Sequence, residues 1–249
     1  MRKIYLVPAL VGLLTSVAAG PLAAQGAVPK QKTAPRAAAA GAAPAAAAGA
    51  TPTAAAETPA VPGEEKAIKA IDGFRSAKFG MSETDVRAAI TKDFSAKPDA
   101  IKIQDNASEL TRSLLLSAPE LLPNGGTAEL SYVFGYKSKS LIQVGAVWSK
   151  GTDTAMTAEK LFSNANILRA HFMGEGFKPD SVAVNMPVAG GIVMFRGSDA
   201  KDRSVILLLQ GTFENKENNQ RVLTPTSLLL FYVADAKSPD IFKLPPGQF

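Results

Sequence analysis

Cysteine is absent from this 249-residue chain. That excludes disulfides, thiol redox chemistry, a cysteine nucleophile and lipidation at an N-terminal cysteine. Histidine occurs once, at His171. Zinc and its neighbours bind through several nitrogen or sulfur ligands, so no transition-metal site and no cofactor are expected. A serine triad would have to use His171, which follows a helical stripe near its C-terminal end. There the helix dipole favours an imidazolium, and a structural role is the simpler reading. No Gly-x-Ser-x-Gly elbow and no Gly-rich phosphate loop occurs. Tryptophan also occurs once, Trp148, on an apolar stretch that reads as core. The nearest approach to a calcium loop, Ser198–Asp202, has few acids and contains Lys201, so it reads as a turn.

The charge excess is confined to one end. The chain carries 27 Lys and Arg against 22 Asp and Glu. Five of the cations, Arg2, Lys3, Lys30, Lys32 and Arg36, precede residue 63, against one acid, Glu57. Residues 63–249 therefore hold 22 cations and 21 anions and are close to neutral. Nucleic-acid binding usually shows as a basic face on the folded domain, so none is expected.

Arg2 and Lys3 precede an apolar run from Ile4 through Leu14 to Ala19, which ends in small residues around Leu22-Ala23-Ala24. This is the layout of a cleavable secretory signal, with the cut expected near Ala24. A spanning helix needs about 20 apolar residues. This run is shorter and is interrupted by Pro8, so no transmembrane span is expected after cleavage. The export signal points to the periplasm.

Residues 25–62 are almost entirely Ala, Pro, Gly and Thr. Without bulky apolar side chains they cannot offset the entropy of ordering, and they read as a disordered tether. Its three cations offer a weak contact with anionic membrane or cell-wall polymer.

Beyond the tether, helix and strand signals alternate. Ser82-Glu83-Thr84-Asp85 is a helix start, and Val86, Ala89, Ile90 and Phe94 follow at helical spacing. Strands are expected at Ala100–Gln104, Leu110–Ser117, Ala128–Tyr136 and Leu141–Trp148, the last two as a hairpin across Lys137-Ser138-Lys139. A second helix starts at Asp153 or Thr154, carries Leu161, Ala165, Leu168 and Phe172, and stops at Gly174 or Gly176. Val182–Val184, Ile192–Arg196, Val205–Thr212 and Leu228–Val233 read as strands. The expected class is α+β: two helix-then-antiparallel-sheet units, 63–150 and 151–249. A local echo hints at tandem duplication. Gly125-Gly126, Phe134-Gly135 and Ser140-Leu141-Ile142 match Gly190-Gly191, Phe195-Arg196-Gly197 and Ser204-Val205-Ile206.

The run Phe79-Gly80-Met81-Ser82-Glu83-Thr84-Asp85-Val86-Arg87-Ala88-Ala89-Ile90 resembles the Gly-Met-[Ser/Thr]-x-x-x-Val-x-x-x-[Leu/Ile] helix entry of the BamE/SmpA family. The β-lactamase inhibitory proteins are related helix-plus-sheet modules. Ser131-Tyr132-Val133-Phe134 and Leu141–Val147 stand where that family's strands would. The family's outer-membrane member is a lipoprotein, whereas this chain has no cysteine. Asn106–Pro123 is also longer than the pattern. The resemblance implies a non-enzymatic envelope binding module, and it carries over no partner and no functional residue.

Two surface sets are candidates for partner contact. Phe74, Arg75, Lys78 and Phe79 interleave aromatic and basic side chains before the first helix. Tyr136, Lys137 and Lys139 form a hairpin tip. A free sheet edge is a third possibility. The expected function is a non-enzymatic exported binding or assembly module with an envelope protein partner. The alternatives are a carrier or sensor of a small apolar ligand, suggested by Leu207-Leu208-Leu209 and Leu228-Leu229-Leu230, and a cell-wall or polysaccharide hydrolase.

Overall fold

The structure, a computed structural model, describes residues 67–215, 221–244 and 247. The signal sequence, the tether and most of the polar tip 214–220 lie outside the described residues. The rest is α+β. A short hairpin comes first, β1 (Gly73–Phe74) and β2 (Ala77–Lys78), then helix α1 (Glu83–Phe94). Four strands follow: β3 (Lys102–Asn106), β4 (Thr111–Ala118), β5 (Ala128–Phe134) and β6 (Leu141–Ser149). The pattern then recurs with α2 (Ala158–Gly174), β7 (Ala183–Val188), β8 (Gly191–Ser198), β9 (Ser204–Asn215) and β10 (Arg221–Val233).

Local chemistry explains the helices. Ser82 accepts a hydrogen bond from the Asp85 amide, and Glu83 and Asp85 occupy the positive end of α1. Ser95 ends α1 in the left-handed conformation, three residues before Pro98. The start of α2 lies later than its acids suggest. Asp153 instead accepts from the Thr127 and Ala155 amides, which ties down the loop between β4 and β5. Thr157 is the N-cap, accepting from Lys160.

All eight long strands join one antiparallel sheet in the order β3-β4-β5-β6-β10-β9-β8-β7. Each half contributes a four-stranded meander, and the two halves meet where β6 pairs with β10 from Ser149↔Ser227 to Gln143↔Val233. In this arrangement β8 holds the place in the second half that β4 holds in the first. The glycine-pair echo aligns β5 with β8 and β6 with β9, so it reflects the likeness of hairpins rather than equivalent positions in the sheet. The equivalent positions carry another likeness. Lys97-Pro98-Asp99-Ala100 and Lys178-Pro179-Asp180-Ser181 each end a helix-to-strand connection in a single 3-10 turn.

The helices lie on one face of the sheet. Val86, Ala89 and Ile90 of α1 and Leu161, Ala165, Leu168 and Phe172 of α2 share a core with Leu114, Leu130, Tyr132, Trp148, Leu207 and Leu230. Phe172 stacks on Phe195, which also meets Phe177. Phe172 is only 1% exposed, so Phe172→Ala removes packing as well as transfer energy. Equilibrium denaturation should show a loss of about 3–5 kcal/mol.

A polar knot ties the first described residues to the β8–β9 turn. Asp199 is buried and accepts from the amides of Ile71, Lys201 and Arg203 and from the Arg203 side chain. Arg203 also reaches Asp72 at 2.6 Å. Beside them Asp202 accepts from Lys178 and Lys237, each at 2.8 Å. Those two ammonium groups hold its pKa down at about 2. The folded value lies below the unfolded carboxylate value of about 4. The contribution of Asp202 is therefore present above pH about 4 and is lost as pH falls toward 2. Asp202→Asn should flatten the pH dependence of thermal stability in that window and leave the curve above pH 5 parallel to the wild type.

Candidate binding surface

The two sets of sequence-predicted contact residues come to the same end of the sheet. Gly80 donates to the Leu141 carbonyl and Leu141 donates to that of Met81, which joins the first hairpin to the start of β6. The Gly135–Ser140 loop, carrying the second set, leads directly into β6.

Within the first set the aromatic rings turn inward. Phe74 and Phe79 are half-buried against the core, and Phe74 lies 5.5 Å from the Tyr232 ring. Arg75 and Lys78 are exposed. The Arg75 guanidinium lies over Phe94 at 4.5 Å, and its Nη1 donates to the Asp93 carbonyl. The Asp93 carboxylate accepts from the Ser76 amide. Gly73 has φ +146°, and a Cβ there would collide with the Ala77 carbonyl, so this tight hairpin requires glycine.

The second set is pinned by the C-terminal segment. Tyr136 is half-buried, with its ring edge against Phe242 at 5.5 Å, and its amide donates to the Asp240 carbonyl. The Asp240 carboxylate accepts from the amides of Lys137 and Ser138. Burial works against this carboxylate, but the hydrogen bonds from Ser138 and Lys137 hold its pKa below the ordinary range. Lys137 and Lys139 are exposed, and the Lys139 ammonium lies 5.3 Å from the Tyr136 ring. Asp240→Ala should release the segment after Ser238. Hydrogen exchange would show faster exchange at Lys137 and Ser138, with little change in the amides of β6.

An open cleft of about 620 Å³ adjoins this end, lined by Glu83, Asp105, Asn106, Thr111, Arg112 and Lys139 among others. Arg112 engages Asp105 through two nitrogens, at 2.7 and 3.1 Å, and approaches Glu83 at 3.9 Å. Its hydrogen bond holds the Asp105 pKa down. The charges here are paired, an arrangement that suits recognition of a polar surface better than proton transfer. His171 is exposed on α2, 3.4 Å from Glu175. Among the described residues no three His, Asp or Glu side chains converge to hold a metal ion, and no helix is long and apolar enough to cross a membrane.

The least anticipated feature is the sheet face opposite the helices. Pairing places Ser113, Leu115, Glu129, Ser131, Val133 and Gln143 on this face in the first half. The second half is different. Val193, Ile206, Leu208, Leu229, Phe231 and Val233, joined by Val147 of β6, form a separate apolar cluster there, flanked by Met186, Val188 and Ala236. No helix residue belongs to this cluster. Gly145 makes room for it, because a Cβ at that position would meet Ser131 Oγ at 2.7 Å and the Phe231 ring at 3.2 Å. The signal in the sequence was the unbroken leucine runs at 207–209 and 228–230, which place leucines on both faces.

Comparison with protein-family models, with curated proteins and with solved structures returns no match for this chain.

Proposed function

We propose that this chain is a non-enzymatic, exported binding or assembly module that serves a complex of the cell envelope. The observation that carries the reading is the two-sidedness of the sheet. Its helix face is a core shared with both helices, while its other face carries a second apolar cluster that includes no helix residue, beside a half where Ser113, Ser131 and Gln143 alternate with Leu115 and Val133. A sheet face that sets an apolar area beside a more polar one is suited to a protein partner. The signal-like N-terminus and the Ala/Pro tether support delivery to the periplasm and presentation of the module at a distance from an anchoring point. The helix entry Gly80-Met81-Ser82 supports kinship with BamE-like modules. The paired Lys-Pro-Asp turns and the mirrored strand order support descent of the two halves from a tandem duplication.

In-cell crosslinking followed by mass spectrometry tests the binding role. The wild type should be recovered with an envelope protein. Ser131→Arg and Ser227→Arg, both at half-buried positions on the open face, should lose that partner while keeping the wild-type circular dichroism. Recovery of the wild type only as a free monomer would sink the reading.

A further inference from the structure

Gln143 is a buried polar side chain without a partner. It is only 3% exposed, on β6 between Val133 of β5 and Val233 of β10. Among the described residues its side-chain amide makes no hydrogen bond. A buried amide left unsatisfied is costly. Gln143 lines a cavity of about 220 Å³ between the start of β6, the end of β10 and the segment that follows β10. That segment brings Asp235, Ser238 and Asp240 to the same cavity. Ile142, Val233, Ala234 and Pro239 line the rest of it.

The two acids are built into place. Asp235 Oδ1 accepts from the amides of Lys237 and Ser238 at 2.9 and 2.8 Å, which leaves Oδ2 without a hydrogen bond among the described residues. Both Asp240 oxygens are engaged, one by the Lys137 amide and one by the Ser138 amide. Gly135 gives that carboxylate room, since a Cβ there would collide with it. Neither neighbouring lysine fills the cavity. Lys237 is held by Asp202 at 2.8 Å. Lys137 acts on Asp240 from a distance and forms no ion pair with either acid among the described residues.

The acceptors left free are thus Asp235 Oδ2, Gln143 Oε1 and Ser238 Oγ, beside an aliphatic wall. A lysine side chain presents three donors at the end of a methylene stem, which matches the acceptors and the wall together. Arginine is a poorer match, because its fork favours a carboxylate with both oxygens available. Calcium takes about six to eight oxygens, more than these side chains leave free. We propose that this cavity receives a lysine side chain of the envelope partner, with Asp235, Gln143 and Ser238 as its acceptors. The inference rests on the binding role proposed above and names the chemistry of one contact in it. The cavity adjoins the Tyr136–Lys139 loop, which Asp240 pins, so the contact belongs to the same end of the sheet.

Nuclear magnetic resonance on the full, isotopically labelled chain tests the site without the partner. The probes are lysine blocked at both backbone ends, its norleucine and arginine analogues, and calcium chloride. The lysine probe should shift the Gln143 side-chain amide and the Ser238 backbone amide saturably. The norleucine probe, which keeps the stem and lacks the charge, should not. Gln143→Met identifies the side-chain signal by its loss. Asp235→Asn keeps the Oδ1 acceptor and with it the turn, and it should weaken the lysine response about threefold. No saturable response to the lysine probe would overturn the site. So would an equal response to norleucine, or a tighter one to arginine or calcium. Any of these results alongside successful partner crosslinking leaves the binding role standing. A lysine response in a protein recovered only as a free monomer keeps the site and removes the binding role.

Discussion

The antiparallel pairing of β6 with β10 is the contact on which the rest of the molecule depends. Each half alone would be a four-stranded meander with one helix and a long bare edge, an arrangement prone to edge-to-edge association. Joining β6 to β10 removes both inner edges at once. It also brings Trp148 against Leu228 and Ala146 against Leu230, so the cores under the two helices become continuous. The outer edges remain, and they differ. Strand β7 carries Pro187, which lacks an amide hydrogen, and Asn185 at φ +53°, two features that discourage further pairing. Strand β3 is regular and relies on Lys102 and Asp105.

A single wide sheet has a consequence for function. Among the described residues, both helices pack on one face and neither contributes to the apolar cluster on the other. The composition of that other face is uneven, with Ser113, Ser131 and Gln143 interleaved with Leu115 and Val133 on one side and Leu208, Leu229 and Phe231 on the other. The residues first singled out for partner contact, Phe74–Phe79 and Tyr136–Lys139, lie at one end of the sheet. Their aromatic rings anchor local structure, against Tyr232 and Phe242 respectively, while their cations remain exposed. The end set and the open face are contiguous with the same strand, β6. The binding role proposed here therefore draws on one region of the molecule.

Much of the fold was legible because it is local. The Ser82 cap, the stripe of α2, the β5–β6 hairpin and the burial of Trp148 follow from neighbours within a few residues. The start of α2 was misplaced because Asp153 and Thr157 are both good caps. Only the folded loop reveals that the Thr127 amide takes Asp153 for itself. The open face was not legible as a site. Leucine triplets announce burial on two sides, and nothing in them says what lies on the second side.

The sequence by itself determined the types and order of the two helices and eight long strands, the lack of thiol and multi-histidine chemistry, and the division of charge between the N-terminal segments and the remainder. These are set by residue identity and short-range periodicity. Tertiary structure alone decided that β6 meets β10, that both helices share a face, and that Leu229 and Phe231 turn away from them. Strand register has a period of two, and pairing across some eighty residues is specified by the sum of many weak contacts. No local pattern contains that sum, so the surface from which the function is argued became visible only in the folded chain.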